Sequence, residues 1–152
     1  MAGKTIGTMI TMFIFVVFLL FMITYSMHNK NELQVDEINF NIVESVSTNG
    51  VFSTQIYNDL IYAVSRYGDY TIKIKLKEQI SPGLYDIHYD TNYILDKKLK
   101  VGDKISVYLE DRNLSLFGRL MNASTFGIIG TDNLIDSRVK SIKTNTISKN
   151  GK

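Results

Sequence analysis

The chain opens on a run that has no polar face. Residues 6–25 read IGTMITMFIFVVFLLFMITY, and no Asp, Glu, Lys or Arg stands between Lys4 and Lys30. At about 1.5 Å of rise per residue this makes roughly 30 Å of helix, the thickness of a bilayer's hydrocarbon core. Such a helix satisfies its own backbone hydrogen bonds in lipid, which is what spanning requires. The pattern predicts a short segment over residues 1–5 and a transmembrane anchor over residues 6–27. A cleaved secretory signal carries a shorter apolar stretch, about 7–15 residues, so the anchor is expected to be retained. With few residues before the span, the amino terminus is expected inside and the rest outside the cytoplasm. Lys4 and Lys30 bias that orientation only slightly.

A helical period takes over next. Val35, Ile38, Ile42 and Val46 recur at helical spacing, with Asp36, Glu37 and Glu44 off the stripe. This predicts an amphipathic stem and turn over residues 28–50, closed by Ser47-Thr48-Asn49-Gly50. Ser53 is a good N-cap for a second helix, in which Ile56, Leu60, Val64 and Tyr67 repeat and Tyr57 and Ile61 widen the stripe. Gly68 stands where a left-handed C-terminal residue is wanted.

The period then falls to two. Ile72, Ile74 and Leu76 alternate with Lys73, Lys75 and Lys77, a half-buried strand with a lysine-studded outer face. Ser81-Pro82-Gly83 is a turn. Tyr85, Ile87 and Tyr89 alternate with Asp86, His88 and Asp90; residues 92–100 are mixed, a short strand or a loop. Val101-Gly102-Asp103 turns into a strand over 104–110, in which Ile105, Val107 and Leu109 point one way. Residues 114–121, LSLFGRLM, have no clean period and join Phe126, Ile128 and Ile129 in an apolar patch. That patch suits tucking under the domain, lying on the membrane surface or meeting a partner. Residues 138–147 alternate weakly and suit a final edge strand. The predicted fold is α+β: the transmembrane helix extended into the stem, then a short helix packed on a small antiparallel sheet. The α+β domain is placed at residues 51–147, and residues 148–152 are expected as a flexible basic tail.

Composition narrows the function. A formal charge of +2 argues against a general nucleic-acid binder. The absence of Cys removes disulfides and thiolate zinc sites. Beyond the anchor, roughly 120 residues suffice for one domain with a modest core. The basic residues near the end, Arg138, Lys140, Lys143, Lys149 and Lys152, read as solvated, with contact to anionic lipid as the other reading.

One constellation suggests chemistry. On a strand, Asp86, His88 and Asp90 share a face, which suits a metal site or an oriented histidine base. The same residues make an ordinary wet strand face, which is the expectation adopted. Glu110-Asp111 beside Arg112 reads as a charged strand end, and Asn113-Leu114-Ser115 and Asn122-Ala123-Ser124 match the glycosylation acceptor pattern. Tyr57, Tyr62, Tyr67, Tyr85, Tyr89 and Tyr93 suit a stacking surface or ordinary packing, and packing is expected. No nucleophile motif or glycine-rich phosphate loop is present. No catalytic, cofactor-binding or metal residue is assigned, no cofactor is expected, and the chain is read as not an enzyme.

The stretches IVESVSTNGVFSTQIYNDLIYAVSRYGDYTIKIK (residues 42–75) and VGDKISVYLE (residues 101–110), behind the apolar helix, carry a resemblance. The chain resembles TadE-type pseudopilins and their pilin-like relatives in Gram-positive tight-adherence or conjugative systems. In these proteins a stem ends in a Gly-containing turn, a short helix ends in Gly before a strand, and a Gly-Asp turn opens a late strand. The resemblance implies a membrane-anchored structural or accessory subunit of a pilus, secretion or conjugation apparatus, acting by helix packing and domain display, without catalysis. Its implied partners are the lipid bilayer and other pilin-like subunits or secretion-apparatus membrane proteins, with no nucleic acid. A homo-oligomer through the N-terminal helix is also implied; Gly7, Thr8 and Thr11, near one helix end, suit a close-approach face for it or are ordinary residues of a monomeric anchor. The expected location is the cell membrane, single-pass, with the C-terminal domain extracytoplasmic. Many pilins carry a glutamate five residues beyond a glycine cleavage site; after Gly3 and Gly7 those positions hold Thr8 and Met12. An uncleaved minor or accessory subunit fits that departure. The alternative reading is a solitary tethered extracellular binding module.

Overall fold

The structure, a computed structural model, describes residues 2–124 and 136–151. Helix α1 spans Ala2–Asn49 and α2 spans Thr54–Ser65; strands β1, Tyr70–Ser81, and β2, Leu84–His88, follow. Then come the short helix α3, Thr91–Ile94, strand β3, Lys104–Asp111, helix α4, Leu116–Ser124, and strand β4, Lys140–Thr146. The strands form one antiparallel sheet in the order β2-β1-β3-β4. This is the α+β layout read from the sequence, with a long apolar helix at its head. By internal contacts the chain divides in two: Met1–Lys30 with Leu114–Ser137, and Asn31–Asn113 with Arg138–Lys152.

α1 runs unbroken because no Gly or Pro occurs between Gly7 and Gly50. Gly50 ends it in the left-handed region, φ +69°, its N–H reaching the Val46 carbonyl at 2.8 Å. A side chain at this position would also fall 2.3 Å from backbone atoms of Lys149 and Gly151. Residues 148–151, expected as a flexible tail, close over this turn: Ser148 N–H donates to the Ser47 carbonyl and Gly151 N–H to that of Leu99, both at 3.0 Å.

α2 starts as its sequence predicts, with Ser53 Oγ accepting from Ile56 N–H at 3.2 Å. Asp96 supports the same end. Its carboxylate accepts from the Thr54 N–H and hydroxyl, its backbone turns to φ +60°, and those hydrogen bonds hold its carboxyl below the ordinary range. The other end differs from expectation. The helix closes at Ser65 with Arg66 in ordinary helical geometry, and Gly68 does not turn left-handed. Gly68 is needed for closeness instead, because a Cβ there would lie 2.5 Å from Asp111 Oδ2.

The strand alternation settles the inner face. Ile74, Leu76, Ile105, Val107 and Leu109 are buried on β1 and β3. β2 departs from the pattern, since Ile87 is 44% exposed and the row it shares with Tyr85 adds little core. Residues 92–100 contain neither a full strand nor a plain loop: Ile94 and Leu99 enter the core from α3 and from the segment where Lys98 bridges Val51. Residues 114–121, without legible period, are largely helical as α4.

The second layer over the sheet comes from the stem. Val35, Val43 and Val46 are buried, and Asn39, in line with them, is buried completely. Asn39 Nδ2 donates to the Val107 carbonyl at 3.1 Å and to Ser141 Oγ at 2.9 Å; Ser141 in turn donates to Asp36, whose carboxylate also takes Lys143 Nζ at 2.7 Å. Further along, Ser47 Oγ donates to the Thr146 carbonyl at 2.6 Å. The stem therefore runs in the same direction as β4. At about 1.5 Å and 3.3 Å per residue, helical residues 36–47 and strand residues 141–146 both cover about 16 Å, so the two stay in step.

Burial pushes the Asp36 carboxyl up, but the hydrogen bonds from Lys143 and Ser141 and the lysine charge outweigh it and hold it below the ordinary carboxylate range. A depressed carboxylate contributes stability above its unfolded value, about 3.9, and loses it as pH falls through the folded value. Asp36→Asn is therefore expected to flatten the acid limb of stability below about pH 4, the two curves converging at the lowest pH, by thermal unfolding in detergent followed by circular dichroism. In the same assay at neutral pH, Asn39→Ala is expected to lose roughly 1–3 kcal/mol, because it strips a donor from two buried acceptors. Unchanged unfolding would show that this network does not hold the stem.

Candidate functional site

The first stretch of α1 turns its side chains outward on nearly every face. Met9, Phe13 and Phe18 are among the exposed residues, Phe13 at 70%. The helix is long and apolar enough to cross a membrane. Its hydroxyls are already spent inside the helix: Thr8, Thr11 and Thr24 donate to the carbonyls of Lys4, Gly7 and Leu20 at 2.8–3.0 Å. Those three threonine hydroxyls are thereby satisfied without water, as a lipid environment demands. A Cβ at Gly7 would meet nothing within 4 Å, so the notch beside Thr8 and Thr11 is open.

One stripe of this stretch is partly covered. Val17, Phe21, Thr24 and His28, spaced by four, three and four, are half-buried on a helix otherwise open on nearly every face. At its end the Phe117 ring of α4 sits 5.3 Å from Tyr25, edge to face, and 5.9 Å from His28, stacked. The long apolar helix was legible in sequence; the contact from Phe117 was not, because it joins residues far apart in the chain. Phe126, Ile128 and Ile129 of the predicted patch lie outside the described residues.

The stem carries a second outward face. Leu33 (69% exposed), Glu37, Phe40 (53% exposed) and Glu44 form a stripe opposite Val35, Asn39, Val43 and Val46. Sequence reading placed the buried side and missed this one, although two large apolar residues off the main stripe were its signal.

The residues weighed for chemistry are not brought together. His88 Nε2 lies 3.4 Å from Asp86 and 4.0 Å from Glu78, but Asp90 has left the strand to cap α3, accepting from Asn92 N–H at 2.9 Å. His88 packs its ring on Tyr93, 4.4 Å between centroids, and Lys97 bonds both Glu78 and Tyr93. Burial pulls the Lys97 ammonium down, and those hydrogen bonds outweigh it and raise it above its ordinary value. The cluster thus closes on itself as a cross-strand network. Among the described residues, no group of three or more His, Asp or Glu is placed to hold a metal ion.

The tyrosines divide among local roles. Tyr57 meets Phe52 edge-on at 6.2 Å, Tyr67 donates to Gln34 Oε1, Tyr62 lies under Arg66, and Tyr85 and Tyr89 lie beside Lys104 and Lys75. No two of these five tyrosines and Tyr93 are in ring contact, so there is no shared stacking platform among the six. A groove of about 290 Å³ opens between α2 and β1, with Tyr57 and Ile61 on one wall and the Asp69–Arg112 pair, 3.5 Å apart, on its lining. Beside it the Tyr70 hydroxyl is buried without a partner, and burial together with the Asp111 charge pushes it well above the usual phenol range.

Compared with protein-family models, with curated proteins and with solved structures, the chain matches none.

Because Asp90 is committed to α3, zinc added to the protein is expected to leave its melting temperature unchanged, in wild type and in His88→Ala alike. A zinc-dependent rise in wild type that His88→Ala removes would reinstate a metal site.

Proposed function

We propose that this chain is a membrane-anchored, pseudopilin-like structural or accessory subunit of a pilus, secretion or conjugation apparatus. It works by packing α1 against neighbouring helices while holding its α+β unit outside the cytoplasm, and no catalytic role is assigned. The observation that carries the reading is the division of α1 between its faces. One face of the stem is consumed by the sheet, and the opposite face keeps Leu33 and Phe40 in solvent, on the same unbroken helix as the apolar span. Large apolar side chains held outward along a helix are surface for another helix. The open notch at Gly7 fits close approach within lipid. The groove beside α2 favours the second reading, a solitary tethered binding module that recognises an extracellular ligand.

The chain has no cysteine, so each single-cysteine variant reports one position. Disulfide crosslinking in intact cells is expected from Leu33→Cys and Phe40→Cys, and from positions of the span that repeat with the helical period around Thr11. Val35→Cys and Val46→Cys, under the sheet, are expected to give none. Absence of crosslinks along the whole series would sink the subunit reading and leave the solitary module.

A further inference from the structure

We propose that α4 is an interfacial helix, seated on the lipid headgroup layer where the α1 span ends, so that the chain meets the membrane at two points distant in sequence. This rests on the reading of α1 as a membrane anchor, and it names a lipid contact which that reading does not contain.

The argument is one of depth. Residues 6–25 fill a hydrocarbon core of roughly 30 Å, which puts Tyr25 at its edge. Tyrosine favours that level, with its ring in the boundary and its hydroxyl wet. Past it come His28, Asn29 and Lys30, residues suited to headgroups. Phe117 touches both Tyr25 and His28, which stand three apart on one face of α1. Any helix whose ring is wedged there lies at headgroup depth.

The rotation of α4 is fixed as well. Phe117 turns toward α1, and Gly118 is pressed against Ser137, so closely that a Cβ would fall 1.6 Å from Ser137 Oγ. Ser115 Oγ caps the start, accepting from Gly118 N–H at 3.1 Å. With those contacts made, Leu116, Arg119 and Ala123 fall on the outward stripe, spaced by three and four, and all three are exposed. No Asp or Glu occurs in residues 114–124, and Arg119 is their one cation. Leu116 and Ala123 flank this guanidinium, whose Nε donates to the Leu114 carbonyl at 3.2 Å, on a helix that carries no acid of its own; such a stripe suits acyl chains together with a lipid phosphate. Leu116 is 57% exposed, so the protein itself leaves it for the bilayer.

The test uses full-length single-cysteine variants in vesicles of phosphatidylcholine and phosphatidylglycerol, each labelled with a polarity-sensitive fluorophore. Leu116→Cys and Ala123→Cys report on α4, Phe13→Cys on the span and Ile142→Cys on the open face of the sheet. All four positions are exposed, so the label disturbs little packing. The α4 probes are expected to be quenched by lipid spin-labelled near the headgroup and to lose iodide quenching. The Phe13 probe is expected to be quenched by deep acyl spin labels, and the Ile142 probe by iodide alone. If the α4 probes behave as Ile142 does while Phe13 is quenched from within the lipid, the interfacial helix is overturned and the anchor stands. If Phe13 escapes lipid quenching, the anchor reading itself has failed. Shielding of the α4 probes from both iodide and lipid would place a protein surface over α4 and also overturn the proposal.

Discussion

Burial of the stem against β3 and β4 is the contact on which the sheet depends. A four-stranded sheet has two faces, and the one carrying Ile74, Leu76, Ile105, Val107 and Leu109 has to be covered. α2 contributes Leu60 and Val64 to that cover, and the stem contributes Val35, Val43 and Val46. Hydrophobic contact alone would let a helix slide along a strand. The Asn39–Ser141–Asp36–Lys143 relay sets the position, because Asn39 Nδ2 reaches both the Val107 carbonyl and Ser141 Oγ, and Asp36 both Ser141 and Lys143, at this step alone of the helix along the strand. Removing the stem with the anchor would therefore uncover the core. The compact unit that carries the sheet begins inside α1, at Asn31.

Local chemistry was legible in the sequence wherever structure is decided within a few residues. The apolar span, the Ser53 cap, the lysine-bearing alternation of β1 and the turns at Gly50, Gly83 and Gly102 each follow from neighbours in the chain. What escaped depends on partners far away. Asn39 is not among Val35, Ile38, Ile42 and Val46, the stripe that the sequence marks, and its role shows only when Ser141, 102 positions on, is laid beside it. Gly68 reads as a helix stop until Asp111 takes the space a side chain would need. Leu116–Ser124 hides its helical period because Gly118 interrupts the apolar stripe, and Gly118 is there for its approach to Ser137.

Asp86, His88 and Asp90 do not share a strand face for a related reason. Alternation places three side chains on one face only while the strand lasts. β2 ends at His88, and Asp90 turns to serve the backbone of α3. Asp is a strong capping residue, so a carboxylate just before a short helix has a local use that competes with any distant one. Glu78, from the neighbouring strand, takes up His88 and Lys97 instead. A constellation read along one strand is thus replaced by one read across two.

The opposed faces of the stem also decide what an assembly through it would cost the fold. Val35, Asn39, Val43 and Val46 are committed to the sheet, while Leu33, Glu37, Phe40 and Glu44 lie on the far side of the same helix. A partner packed on the outer stripe displaces no core contact, so association and folding act on separate surfaces and their free energies add without interference. The two glutamates between and beyond the apolar residues keep that stripe from being a continuous greasy surface. Before a partner arrives the stripe is tolerable to water, and indiscriminate association is disfavoured by like charge. Under the subunit reading proposed above, a helix packed on such a stripe would have to offer both apolar contact and positive charge, and it would leave the sheet beneath undisturbed.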